Sequence, residues 1–118
     1  MTQPSPADVL RTAAKELRDH ASTTSPAPWA VNQWGNVETA EHEEMAEVWP
    51  LQAPPGDNAA YIALMGPDVG TALADLLDET ASEVAAAEGT EYELLAHEPG
   101  NSWTAALAVA RAITGDTP

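Results

Sequence analysis

The chain has 118 residues, with 19 Asp or Glu, four Lys or Arg and no Cys, and a formal net charge of -15. Lack of Cys excludes disulfide and thiolate chemistry, and scarcity of cations argues against direct nucleic-acid or anionic-membrane binding. The length suits a single domain, 1–118, with a flexible tail over 1–4.

Ser5-Pro6-Ala7-Asp8 reads as a helix start, with Ser at N-cap, Pro at N1 and an acid at N3. The helix is predicted to run to about Ala21, with Val9, Leu10, Ala13, Leu17 and Ala21 as its apolar stripe. Ser22 to Pro28 breaks it. Trp29–Gln33 and Val37–Thr39 have strand character and flank a hairpin turn at Gly35-Asn36. Glu41-His42-Glu43-Glu44 is a polar loop or strand extension, and Ala46–Trp49 a third strand stopped by Pro50. Gln52–Gly56 is a loop, and Asp57 or Asn58 caps a short helix, Ala59–Met65. Gly66-Pro67 separates it from a long helix that carries Val69, Leu73, Leu76, Leu77, Thr80 and Val84 at three- and four-residue spacing as its apolar stripe, ended by Gly89. Residues 90–98 read either as more helix or as a covering segment, with a turn at 97–100. Asn101 or Ser102 caps a last helix that directs Trp103, Leu107, Ala110 and Ile113 inward and ends at Gly115. The expected fold is therefore α+β: an N-terminal helix, a small antiparallel sheet of about three strands, and a Leu/Ala-rich helical C-terminal half.

Three of the four cations, Arg11, Lys15 and Arg18, fall on one face of the first helix, within about 60° of each other at 100° per residue. In a chain this acidic, such a stripe is a candidate phosphate site, since Arg binds such anions through two parallel bonds. Arg111 joins it if the first and last helices pack side by side. The competing expectation is local pairing, because Asp8 and Asp19 lie three or four residues from Arg11 and Lys15. With no Phe in the chain, the four Trp are expected to supply much of the core. Trp34, beside the turn, and Trp49 are the candidates for stacking on a ligand.

Other chemistry has little support. The acidic loop 41–44 lacks the spacing of a calcium loop, and His20, His42 and His97 have no metal-ligand spacing. No G-x-S-x-G, Gly-rich phosphate loop or H-E-x-x-H occurs. We therefore expect no enzyme, catalytic residues, cofactor or metal.

Two stretches carry a family resemblance: Thr24-Ser25-Pro26-Ala27-Pro28-Trp29 after the first helix, and Asp57-Asn58-Ala59-Ala60-Tyr61-Ile62-Ala63-Leu64-Met65-Gly66-Pro67-Asp68-Val69 running into Leu73-Ala74-Asp75-Leu76-Leu77. Together they resemble the small Ead-like early proteins of lambdoid phages and their actinobacterial phage and prophage relatives. Ala27 stands where that family usually has Gly. The resemblance implies an accessory protein of a mobile element, acting early and on its host. It brings no catalytic residues.

The leading functional expectation is antagonism of a host defence process by sequestration, in its sharpest form of a small anionic nucleotide held by Arg11, Lys15, Arg18 and Arg111 with Trp34 or Trp49 stacking. The alternative is an acidic inhibitor that masks a basic host protein. A small enzyme ranks last. An Ala- and Leu-rich helix in a small chain also suits a homodimer or higher oligomer. No apolar run approaches the roughly 20 residues of a membrane span, and the N-terminus does not read as a secretory signal, so the expected setting is the cytoplasm.

Overall fold

Ser5 behaves as a helix cap, its Oγ accepting from the Asp8 N–H at 3.2 Å. The helix it opens, α1, spans Pro6–Thr23. A computed structural model describes residues 4–49 and 57–115. Within them follow β1 (Ala30–Val31), β2 (Val37–Glu38), β3 (Glu44–Ala46), α2 (Asp57–Leu64), α3 (Pro67–Ala87), a 3-10 segment (Glu91–His97) and α4 (Ser102–Thr114). The architecture is α+β, with one antiparallel sheet in the order β1-β2-β3. The stop at Pro50, the loop 52–56 and most of the tail 1–4 lie outside the described residues.

The chain clusters into two compact units, residues 1–19 with 72–118, and residues 20–71. The first is helical. Its core centres on the fully buried Leu10, Leu77 and Leu107, surrounded by Ala7, Ala13, Ala14, Ala74, Ala81 and Ala110. Small Ala side chains fill the space around the three leucines. Trp103 and Ile113 pack at the edge of this core, and the Trp103 indole N–H donates to Glu83 Oε2 at 3.0 Å. Asn101 is the N-cap of α4: its Oδ1 accepts from the Thr104 N–H. Its amide also donates to the Leu95 and Glu98 carbonyls, both at 2.8 Å, tying the 3-10 segment to the helix start. Gly115 ends α4 at φ 81°, the left-handed region that favours Gly.

The second unit has a smaller core, Val37, Val48 and Ala59, with Trp29, Val31, Met45, Ala46 and Ala63 packed against it. Trp29 donates its indole N–H to the Ser25 carbonyl at 2.9 Å. A methyl group added at Gly66 would stand 3.5 Å from Trp29 Cδ2 and 3.2 Å from Asp68 Oδ1. The Pro-rich segment before Trp29 and the stretch ending at Gly66-Pro67 thus meet in space. The Ala27–Pro28 peptide bond is cis.

Three expectations need correction. The first hairpin does not turn on Gly35-Asn36. Asn32 N–H donates to the Asn36 carbonyl and Gly35 N–H to the Asn32 carbonyl, so the tip is Gln33-Trp34-Gly35. A three-residue loop of this kind needs one left-handed residue, and Gly35 supplies it at φ 79°. The third strand is Glu44–Ala46, not Ala46–Trp49, so Glu44 is the strand extension that the sequence left open. Past Ala46 the backbone leaves the ladder because the Asn36 side chain substitutes for a strand, accepting the Val48 N–H at 2.9 Å. Leu76 is not inward but 54% exposed. The buried line of α3 runs through Ala74, Leu77, Thr80, Ala81, Val84 and Ala87, and Leu76 is turned about 100° from Leu77.

Candidate functional site

The basic stripe is ion-paired along its length. Arg11 Nη1 lies 4.0 Å from Asp8 Oδ1, and Lys15 Nζ 2.5 Å from Asp19 Oδ2. These are the local partners that helical spacing offers. Arg18 behaves differently. Its two terminal nitrogens divide between Asp75 (Nη2 to Oδ1, 2.7 Å) and Asp78 (Nη1 to Oδ2). Asp75 and Asp78 are three residues apart on α3, so one helix face presents both carboxylates to one planar guanidinium. The Asp75 and Asp78 carboxylates hold Arg18 above the usual arginine range, and the hydrogen bond to Asp19, with its charge, raises Lys15. A phosphate at any of the three would have to lie beside a carboxylate that already neutralises the cation. Arg111 lies on α4 and makes no ion pair among the described residues, and no hydrogen bond or ion pair joins it to the stripe. The sequence shows the Asp8 and Asp19 pairings, but those of Arg18 bridge about 60 residues and arise only on folding.

The four Trp divide evenly. Trp29 and Trp103 pack against the two cores. Trp34 and Trp49 are 68% and 67% exposed. Both exposed rings belong to the second unit, and Trp34 forms a wall of an open concavity of about 450 Å3, lined also by Asn32, Gln33, Glu38, His42 and Glu44.

This concavity is built by two successive hairpins with the same turn. In the first, Asn32 Oδ1 accepts from the Trp34 N–H at 2.9 Å and the Asn36 N–H at 3.0 Å. In the second, Thr39 and Glu43 close a loop in which the Thr39 Oγ1 accepts from the N–H groups of Glu41 and Glu43. His42 occupies the left-handed position there at φ 64°, where the first turn has Gly35. Its Nδ1 lies 3.1 Å from Glu38 Oε1. Glu44 Oε1 accepts from Asn32 Nδ2 (3.2 Å) and Asn36 Nδ2 (2.6 Å), locking the strand to the turn. Sequence reasoning singled out Trp34 but missed Asn32, Asn36, Glu38 and Glu44 as its surroundings. The available signal was two Asn flanking a Trp-Gly turn, opposite an acidic strand.

The surroundings are anionic. Residues 20–71 hold seven carboxylates and no Lys or Arg. Glu38 and Glu44 beside Trp34 would repel a phosphate and attract a cation. In the first unit, His97 meets residues far from it in sequence, lining a concavity of about 260 Å3 with Ser5, Glu88 and Glu93 among others. Among the described residues, no group of three or more His, Cys, Asp or Glu is arranged to hold a metal ion, and no single helix is long and apolar enough to cross a membrane. Compared with protein-family models, curated proteins and solved structures, the chain matches none.

Proposed function

We propose that this protein is a non-enzymatic binding protein that masks a basic surface on another protein. The observation that carries the reading is the charge of residues 20–71: seven carboxylates, no Lys or Arg, and two exposed Trp. Carboxylates without internal cations draw a basic partner at long range, and exposed indoles supply desolvated anchors on contact. The resemblance to Ead-like early proteins supports the setting we propose, a phage or prophage accessory protein that antagonises a host process in the cytoplasm. Self-association belongs to the same proposal. α2 exposes Tyr61, Ile62 and Leu64, and Met65 just after it is exposed as well; residues 58–67 carry no charge, so this stretch offers a second copy an apolar surface.

Binding to immobilised protein from a host lysate tests the reading, with the variant Glu41→Gln/Glu43→Gln/Glu47→Gln alongside. We expect a basic partner retained at low salt, released steeply as salt rises, and lost from the triple variant. Retention that ignores both salt and the three substitutions overturns the proposal.

A second reading, sequestration of a small anionic nucleotide, draws on Arg111 and its lack of an ion pair among the described residues. It requires a phosphate to compete with the carboxylates already beside Arg11, Lys15 and Arg18. A nucleotide panel read by thermal unfolding separates it from the first, since a ligand at a hundredfold excess over its Kd stabilises the native state by about 2.7 kcal/mol.

A further inference from the structure

We propose that the Trp34 concavity is a receptor for an arginine side chain of the basic partner. This inference rests on the masking function above and names the contact that would anchor it.

An exposed indole face is the strongest aromatic partner for a cation, and a guanidinium can lie flat against it while its N–H groups reach carboxylates in its own plane. Trp34 supplies the face, and Glu38 and Glu44 supply the carboxylates of the same concavity. Each carboxylate accepts about four hydrogen bonds. Glu44 Oε1 takes two from Asn32 and Asn36, and Glu38 Oε1 faces His42, so both acids keep acceptor capacity while being held in place. The wall is also pre-organised: the Asn32 side chain fixes the Trp34 and Asn36 backbone N–H groups. The turn backbone then needs no ordering on binding.

Charge and shape select the occupant. No Lys or Arg occurs anywhere in residues 20–71 to fill the space from within the unit. The contrast with Arg18 is direct. On α1 the chain satisfies a carboxylate pair, Asp75 and Asp78, with its own guanidinium. At Trp34 a carboxylate pair and an indole have no such group. A phosphate or carboxylate would meet repulsion there, and among the described residues the ligand set for a metal is absent. Lysine satisfies the charge but not the plane. The volume of about 450 Å3 accommodates a guanidinium and its alkyl stem.

The test is an NMR titration of the isotope-labelled full chain at low salt with an acetylated tri-arginine amide and its tri-lysine counterpart. We expect the Trp34 indole N–H and the Asn32 and Asn36 side-chain amides to shift to saturation, with arginine binding several-fold tighter than lysine. Trp34→Ala and Trp34→Leu should each weaken binding at least tenfold, and Glu44→Gln several-fold, with the rest of the amide spectrum unchanged. Glu79→Gln, in the other unit, should change it less than twofold. Equal affinity in wild type and Trp34→Leu, with shifts spread over the acidic residues, overturns the receptor while leaving the masking function standing. No binding of either peptide by the wild type overturns both.

Discussion

The two units of this chain are both acidic but differ in where the cations lie. Residues 1–19 and 72–118 hold all four Lys and Arg, and three of these are paired with carboxylates on α1 and α3. Residues 20–71 hold none, and two of their carboxylates, Glu38 and Glu44, line a concavity with an exposed Trp. Where the chain supplies both signs, three of the four cations are paired internally, though 12 carboxylates stand against those four cations. Where it supplies one sign, no Lys or Arg of the same unit offsets the carboxylates. The cores differ in parallel: three buried leucines in a bed of alanines on one side, two valines, an alanine and a partly buried Trp29 on the other.

The largest expected effect comes from the leucine core. Leu77→Ala should cost about 3 kcal/mol, because the cavity it leaves is lined by helices that cannot collapse freely. A smaller loss follows in the other core, where Val37→Ala removes two methyl groups at about 0.8 kcal/mol each. Urea unfolding of both variants checks the ranking, and a larger loss from Val37→Ala would break the contrast between the cores. His42→Gly should work in the opposite direction. It relieves a left-handed residue, a conformation costing about 1–2 kcal/mol outside Gly, and gives back part of that through the freer unfolded chain and the lost Glu38 contact. The expected net gain is about 0.5 kcal/mol, seen as a raised urea midpoint with an unchanged slope.

The charge contrast has a smaller, pH-dependent signature. Lys15 is held above the usual lysine range by Asp19, so its folded pKa exceeds its unfolded one. The stabilisation is complete below the ordinary lysine pKa and disappears as pH rises through the raised value. NMR of the Lys15 side chain should show that elevation, and Asp19→Asn should return it to the ordinary range. Arg18→Gln should lower the urea midpoint less than Leu77→Ala does, because both carboxylates it frees are partly exposed. An Arg18→Gln variant as stable as wild type would mean that the forked pair contributes specificity and not stability.

Local chemistry made much of this fold legible from residues alone. Ser5, Asn101 and Gly115 cap helices through side-chain or backbone conformations that only a few residue types provide, and the 3.6-residue spacing marks the buried faces of α1 and α4. Trp34 stood out as the candidate exposed aromatic beside its turn, and Asp8 and Asp19 as the competing partners of Arg11 and Lys15, because those contacts span four residues or fewer. Local chemistry was not enough at Leu76, where apolar spacing admits either of two adjacent stripes, and at the third strand, where the Asn36 side chain takes the place of a ladder carbonyl. Tertiary structure alone decided that Arg18 is held by Asp75 and Asp78, and that Asn32, Glu38, His42 and Glu44 gather around Trp34. Those contacts join residues whose separation along the chain carries no period. They depend on how helices and hairpins pack, which no local propensity encodes.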